Sequence, residues 1–212
     1  MYSHILLDLD GTLTDPGTGI TNSIMYSLEK LGITETDRTK LYRFIGPPLM
    51  DSLRSAYGLS EQEGLDALRY YREYFSDKGI FENEVYEGIP EVLGKMKALG
   101  KKVILATSKP EVYARRILEH FELEKYFDFI AGGTMDNSRV RKGDVIAFAA
   151  ANTAAAPETT LMIGDRDNDV EGAASNGIKT LGVLYGYGSY EELSNAGAAF
   201  FAETPQDIPD YI

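Results

Sequence analysis

The chain has 212 residues, with 33 acidic and 21 basic side chains, a formal net charge of −12, two histidines and no cysteine. The lack of cysteine excludes a disulfide scaffold, a cysteine-ligated metal site and a thiol nucleophile. The acidic balance argues against binding to a nucleic-acid polymer or to a membrane surface, because both need clustered Lys and Arg. The apolar N-terminal run is too short for a signal peptide or a transmembrane span, so we expect a globular, cytoplasmic protein.

The chain opens with a predicted strand, Ile5–Leu9, which includes Asp8 and is followed at once by Asp10 and Gly11. Residues i and i+2 of a strand point the same way, so the two carboxylates are expected to converge just beyond the sheet edge. Gly11 would let the backbone turn tightly and approach a ligand. Taken alone, this pair is also typical of calcium loops, of nucleotide-sugar transferases and of a solvated turn.

Helical spacing replaces strand-like runs between residues 15 and 84. Three helices are predicted there: one on the apolar stripe Ile20, Ile24, Leu28 and Leu31, one over Leu49–Tyr57, and one from the capping box of Ser60 and Glu63 to Gly79. We therefore expect residues 15–84 to form an all-helical cap domain, inserted into a core domain of residues 1–14 and 85–212. An insert after the first strand lies at the carboxyl edge of the sheet, where ligands bind in open α/β folds.

The second half of the chain alternates short apolar runs with amphipathic stretches, which is the βαβ pattern of a parallel sheet. The predicted strands are Lys102–Ala106, Phe129–Ala131, Thr160–Ile163 and Thr180–Leu184. Pro90 and Pro110 are expected in the first turns of helices, and Ser189 with Glu192 predicts a capping box. The fold class is therefore α/β, a parallel sheet with helices on both faces, plus the all-helical insert.

Side chains that could bind a ligand or take part in catalysis follow several of these strands. Thr107 and Ser108 precede a helix start, where hydroxyl and backbone N–H groups can bind an anion. Lys142 opens a predicted helix, and Asp165 and Asp169 follow another strand. If the strands adjoin, these two aspartates join Asp8 and Asp10 in a cluster of four carboxylates that needs a cation. An all-oxygen set selects a hard ion, and Mg²⁺ is the default where a phosphate supplies further oxygens.

Together these segments resemble the four motifs of the haloacid dehalogenase superfamily, and the resemblance extends over almost the whole chain. The matching segments are Asp8–Thr12, Thr107–Ser108, Lys142, and Gly164–Asp165 with Asp169. The resemblance implies a Rossmann-like core and a C1-type helical cap, close to phosphoglycolate phosphatases and 5′-nucleotidases. It also implies hydrolysis of a small phosphate monoester, with phosphoglycolate or a nucleoside 5′-monophosphate as the expected substrate.

The roles implied by this resemblance follow motif by motif. Asp8 is the nucleophile that forms an aspartyl-phosphate, and Asp10 is the general acid and base. Mg²⁺ is held by Asp8, the backbone carbonyl of Asp10 and Asp165, while Asp169 acts without touching the ion. The phosphoryl oxygens are bound by Lys142, Thr107, Ser108 and Gly11.

Two other functions remain open from the sequence: a phosphomutase of the same superfamily, and a catalytically silent relative that binds a partner. Dehalogenation is disfavoured, because dehalogenases of this superfamily need only the first aspartate, whereas phosphotransferases add the one at Asp10. Gly164–Asp165 resembles the phosphatase motif more than the Glu-Asp pair of phosphoglucomutase-like members. The substrate and the oligomeric state are not determined by the sequence.

Overall fold

The computed structural model of the protein describes residues 2–212, and the chain divides into two compact units. One unit contains the chain up to Thr14 together with Val85–Ile212, and the other is Asp15–Glu84. Two short strands, β2 (Thr14–Asp15) and β3 (Glu84–Val85), pair with each other where the chain passes from one unit to the other and returns.

The larger unit is built on a parallel sheet with strand order β5-β4-β1-β6-β7-β8. Its strands are β1 (His4–Leu7), β4 (Lys102–Pro110), β5 (Phe129–Gly133), β6 (Thr160–Gly164), β7 (Lys179–Val183) and β8 (Phe200–Ala202). Its helices are α4 (Ile89–Ala98), α5 (Glu111–His120), α6 (Lys142–Thr153), α7 (Asp167–Ala174) and α8 (Tyr190–Ala196).

Both faces of this sheet are covered. Consecutive residues of the central strand, Ile5, Leu6 and Leu7, are all buried, although their side chains point to opposite faces. On one face Leu6 packs with Val145 and Ile146 of α6. These observations confirm the predicted fold class, a parallel α/β sheet with an all-helical segment inserted after the first strand.

The register of the sheet aligns the carboxyl ends of its three central strands. Leu7 of β1 lies opposite Leu105 of β4 on one side and Ile163 of β6 on the other. The N–H group of Asp8 continues the ladder by donating to the carbonyl of Ile163, at 3.0 Å. The residues that come after Leu7, Leu105 and Ile163 are therefore brought together at one edge of the sheet.

The helical unit contains α1 (Gly17–Lys30), α2 (Leu49–Tyr57) and α3 (Glu61–Tyr74), with a 3₁₀ helix over Arg38–Phe44 and a π-helical turn over Phe75–Gly79. The capping box of Ser60 and Glu63 is present as predicted, and α2 ends at Gly58 in a left-handed conformation. Ile20, Ile24 and Leu28 of the predicted apolar stripe are buried, as is Leu53 of α2, whereas Leu31 of the stripe is only half-buried. No helix within residues 2–212 is long and apolar enough to cross a bilayer.

Several local features differ from the sequence predictions. The 3₁₀ helix Arg38–Phe44 and the edge strand β8 were not predicted. Pro110 ends β4 and caps α5 instead of lying in its first turn. Ser189 accepts the N–H group of Glu192 as expected, but the predicted reciprocal half of that box is wrong. One oxygen of the Glu192 carboxylate instead accepts from the Arg166 side chain at 2.7 Å and from the backbone N–H group of Asp167 at 3.1 Å, so it is engaged at the start of α7.

Candidate active site

The residues expected to carry chemistry meet at the carboxyl end of β1, β4 and β6. Asp8 and Asp10 follow β1, Thr107 and Ser108 lie near the end of β4, Lys142 is the first residue of α6, and Asp165 and Asp169 lie at the start of the β6–α7 segment. All seven side chains are buried. Such a concentration of buried polar groups requires that the charges be paired or bound to an ion.

Lys142 lies between two carboxylates. Its Nζ is 2.7 Å from an oxygen of Asp8 and 2.7 Å from an oxygen of Asp169, and it donates to the carbonyl of Ala106 at 3.1 Å. Burial lowers the pKa of Lys142, but Asp169 and Asp8 outweigh this effect and hold the pKa above its usual range. Gly172 of α7 makes room for the lysine, because a Cβ there would lie 2.8 Å from its Cγ. Lys142 is therefore a structural counter-ion as well as a candidate phosphate ligand.

Asp165 is held by hydrogen bonds to both of its carboxylate oxygens. The hydroxyl of Thr12 donates to one oxygen at 3.2 Å, and the backbone N–H group of Tyr187 donates to the other at 2.8 Å. Burial and the charges of Asp169 and Asp8 raise the pKa of Asp165 well above its usual value. The pKa of Asp169 is also raised, by burial, although Lys142 opposes the shift. Burial is the main cause of both shifts, and the neighbouring carboxylates add to it.

Asp10 has a partner that the sequence analysis did not assign to the site, Lys109. The Nζ of Lys109 lies 2.7 and 2.5 Å from the two oxygens of Asp10, and both side chains are buried. Burial raises the pKa of Asp10, while Lys109 opposes the shift. The pairing of β4 with β5 shifts register between Thr107 and Pro110, the stretch that contains Lys109. The periodicity of a sequence does not reveal where strand pairing shifts register. The one sign in the sequence that Lys109 belongs to the site is its position directly after Thr107 and Ser108.

The three predicted phosphate ligands besides Lys142 differ in their surroundings. The Oγ of Ser108 is buried and has no hydrogen-bond partner among the described residues, whereas the Oγ of Thr107 accepts from the N–H group of Lys109 at 3.2 Å. The N–H group of Gly11 already donates to the carbonyl of Thr14 at 2.8 Å. Gly11 contributes space instead, because a Cβ there would overlap with the Asp165 carboxylate. Ser108 is therefore the strongest hydroxyl candidate for an anion.

The charges of the cluster match one divalent cation. Four carboxylates, Asp8, Asp10, Asp165 and Asp169, are balanced by only two ammonium groups, which leaves two negative charges. Carboxylate oxygens of Asp8, Asp165 and Asp169 lie within 4.8 Å of one another. Oxygen donors at this spacing fit a hard ion such as Mg²⁺ or Ca²⁺ and not a thiophilic metal.

The parallel sheet holds this cluster beyond its central strands, where the motifs predicted it, and the family model of the haloacid dehalogenase-like hydrolases matches residues 5–183. The chain belongs to this family. It is 45% identical over 192 residues to a 5′-nucleotidase of Pseudomonas aeruginosa, covering 91% of this chain and 87% of that protein. It is 41% identical to the tyrosine-protein kinase PtkA of Mycobacterium tuberculosis, covering 87% of this chain and 62% of that protein.

A solved structure shows the same fold over nearly the full chain. The crystal structure of a predicted phosphatase from Clostridium acetobutylicum superposes with a TM-score of 0.97 at 45% identity, covering 99% of this chain and 97% of that one. The family resemblance that the motifs indicated is therefore confirmed.

Proposed function

We propose that this protein is a Mg²⁺-dependent hydrolase of small phosphate monoesters that acts through an aspartyl-phosphate on Asp8. The observation that carries the proposal is the charge balance of the site. Asp8, the proposed nucleophile, and Asp10, the proposed acid and base, lie in one buried cluster whose four carboxylates exceed its two ammonium groups by a formal charge of two. The same cluster would repel a phosphate dianion unless a divalent cation were bound.

The residues that would hold this cation are Asp8, the backbone carbonyl of Asp10, and Asp165. When bound, Mg²⁺ neutralises charge on the phosphoryl group and orients it for in-line attack. Asp169 is engaged by Lys142 through one oxygen and accepts the N–H group of Arg166 through the other, at 3.1 Å. We therefore assign Asp169 to holding Lys142 and not to the ion.

In the first step an Asp8 oxygen forms a bond to phosphorus while the bond from phosphorus to the ester oxygen breaks, and Asp10 donates a proton to that leaving oxygen. In the second step Asp10 accepts a proton from water as that water attacks phosphorus, and the Asp8–phosphorus bond breaks. Asp10 must therefore change its protonation state twice in each cycle. Burial favours the neutral form of Asp10 and Lys109 favours its charged form. This balance suits a group that donates a proton in the first step and accepts one in the second.

The phosphoryl oxygens not bound by the ion need donors. Lys142 already contacts Asp8, Asp169 and the carbonyl of Ala106, so it contributes its positive charge. The buried, unpartnered hydroxyl of Ser108 supplies a hydrogen bond, with Thr107 beside it. Fixed donors of this kind provide most of the stabilisation in phosphoryl transfer, because the transition state spreads charge over these oxygens. Their burial makes them stronger than the same groups in water.

The 5′-nucleotidase relative supports a nucleoside 5′-monophosphate as the substrate, and phosphoglycolate is the second choice. The test is release of inorganic phosphate from a panel of nucleoside monophosphates, phosphoglycolate and sugar phosphates, with Mg²⁺ and with EDTA. Asp8→Asn is expected to lower turnover by at least 10³-fold while retaining the fold. Asp144→Asn is the matched control, because Asp144 is exposed in the first turn of α6 and should keep full activity. Wild-type turnover by Asp8→Asn would refute the mechanism.

The other candidate functions give different products in the same experiment. A phosphomutase would yield an isomer of a sugar phosphate without free phosphate, and a silent binding protein would yield neither. Because one relative is a tyrosine-protein kinase, the experiment also includes ATP with a tyrosine-containing peptide. A kinase would transfer a phosphoryl group to the peptide instead of releasing phosphate. Phosphate release from the ester panel alone would support the hydrolase.

A further inference from the structure

The segment between β7 and α8 folds against Asp165, and this contact has no role in the mechanism above. The N–H group of Tyr187 donates to one carboxylate oxygen of Asp165 at 2.8 Å. A Cβ at Gly186 would lie 2.6 Å from that same oxygen and would overlap with the Asp165 Cβ and the Gly11 carbonyl. A Cβ at Gly188 would overlap with the Asp165 carbonyl. The backbone of Gly186–Gly188 is therefore in close contact with Asp165.

The same segment is tied to the turn that holds the other oxygen of Asp165. The hydroxyl of Tyr185 donates to the carbonyl of Thr12 at 2.9 Å, and the Thr12 hydroxyl donates to Asp165 at 3.2 Å. Burial raises the pKa of Tyr185 well above its usual value, so its phenol stays neutral and remains a donor. The turn at Thr12 therefore binds one oxygen of Asp165 and the segment Tyr185–Gly188 binds the other. The hydrogen bond from Tyr185 to Thr12 joins these two segments.

We propose that the segment Tyr185–Gly188 is a positioning loop that fixes the carboxylate of Asp165 in the orientation needed to bind the divalent cation. The inference rests on the proposed function, because it takes Asp165 as a ligand of the ion. The effect of the loop comes from steric exclusion by the close-lying backbone and from the N–H donor of Tyr187, which together leave the carboxylate little rotational freedom.

Direct measurement of ion binding tests this proposal independently of turnover. Mn²⁺ is the probe, and the amount bound is read from the loss of the free-ion EPR signal. Gly186→Ala introduces a methyl group against Asp165 and is expected to weaken Mn²⁺ binding by about 10- to 100-fold, the usual effect of disturbing groups behind a metal ligand. Gly182→Ala is the matched control on the preceding strand β7. The atoms nearest to its Cβ would belong to the side chain of Leu193 and not to Asp165, so we expect unchanged Mn²⁺ affinity.

Tyr185→Phe provides a milder variant in case Gly186→Ala does not fold. It retains the ring and removes only the hydroxyl that links the loop to Thr12, so a loss of Mn²⁺ affinity of severalfold is expected with unchanged folding. Wild-type Mn²⁺ affinity in folded Gly186→Ala, or in Tyr185→Phe if the alanine variant is unfolded, would overturn the positioning role.

Asp165→Asn separates this proposal from the function on which it rests. Loss of Mn²⁺ binding in Asp165→Asn together with full binding in Gly186→Ala would overturn the loop proposal alone. Retained binding in Asp165→Asn would overturn the assignment of Asp165 as a ligand, and the loop proposal with it. Weakened binding in both variants, with the Gly182→Ala control at wild-type affinity, supports the positioning loop.

Discussion

Replacement of Lys142 is predicted to destabilise the protein more than replacement of any exposed lysine. Its ammonium group lies 2.7 Å from both Asp8 and Asp169, and its side chain is only 2% exposed. Lys142→Met preserves most of the aliphatic length but leaves two buried carboxylates without their counter-charge. Removing one partner of a buried ion pair costs about 3–5 kcal/mol, so the free energy of unfolding of the metal-free protein should fall by that amount.

A second substitution tests whether this loss is electrostatic. Asp169→Asn removes one of the two carboxylates, so the double variant Lys142→Met/Asp169→Asn is expected to be more stable than Lys142→Met by about 1–3 kcal/mol. The assay is urea denaturation in EDTA, followed by circular dichroism and extrapolated linearly to water. Lys179→Met, at the exposed start of β7, is the control and should change stability by about 0.5 kcal/mol or less.

Two results would contradict this reasoning about Lys142. One is a loss below about 1 kcal/mol in Lys142→Met, which would mean that the buried carboxylates are neutral in the folded protein. The other is a double variant that is no more stable than Lys142→Met, which would mean that the loss comes from packing. Addition of Mg²⁺ should restore part of the lost stability, since a divalent cation replaces the missing positive charge.

Three further predictions concern the ion, the pH dependence and the backbone. Mg²⁺ at 100 times its dissociation constant should stabilise the wild type by about 2.7 kcal/mol, seen as a rise in melting temperature that EDTA abolishes; an unchanged temperature contradicts ion binding. Burial raises the pKa of Asp128, but hydrogen bonds from Lys97 and Val103 outweigh it and lower the pKa. This stabilisation is present above the unfolded-state pKa and is lost as the pH falls, so Asp128→Asn should flatten the decline of unfolding free energy between about pH 5 and pH 3. Ala154 ends α6 at a φ of 54°, so Ala154→Gly should raise stability by about 1 kcal/mol in urea denaturation, and a loss would contradict strain there.

Elements whose first and last residues are marked by helix-boundary residues were predicted well from the sequence. Helix α2 was predicted with its observed bounds, because Pro48 precedes it and Gly58 takes the left-handed conformation that ends it. The central strands were predicted because they are apolar on both faces. The aspartates of the site were predictable for a related reason: Asp8 and Asp165 directly follow buried strands, Asp10 and Asp169 lie a few residues further on, and parallel strands end at the same edge.

The features that escaped prediction depend on contacts between distant residues. The ion pair of Lys109 with Asp10 joins residues far apart in the chain and lies where the pairing of β4 with β5 shifts register. The Glu192 carboxylate had a plausible local partner, yet it bonds the side chain of Arg166 on another element. A pattern read from neighbouring residues cannot rank a local hydrogen bond against a distant charged partner.

The central place of β1 in the sheet has a consequence for how the chain folds. His4 pairs with Lys102 on one side and with Thr160 on the other, so β1 must wait for partners that come much later in the chain. Contacts that are distant in sequence slow folding, because the intervening chain must be closed into a loop first. The helices of residues 15–84 need only nearby partners and can form earlier. We therefore expect the nucleophile to be built last, in the same cooperative step that inserts β1 between β4 and β6.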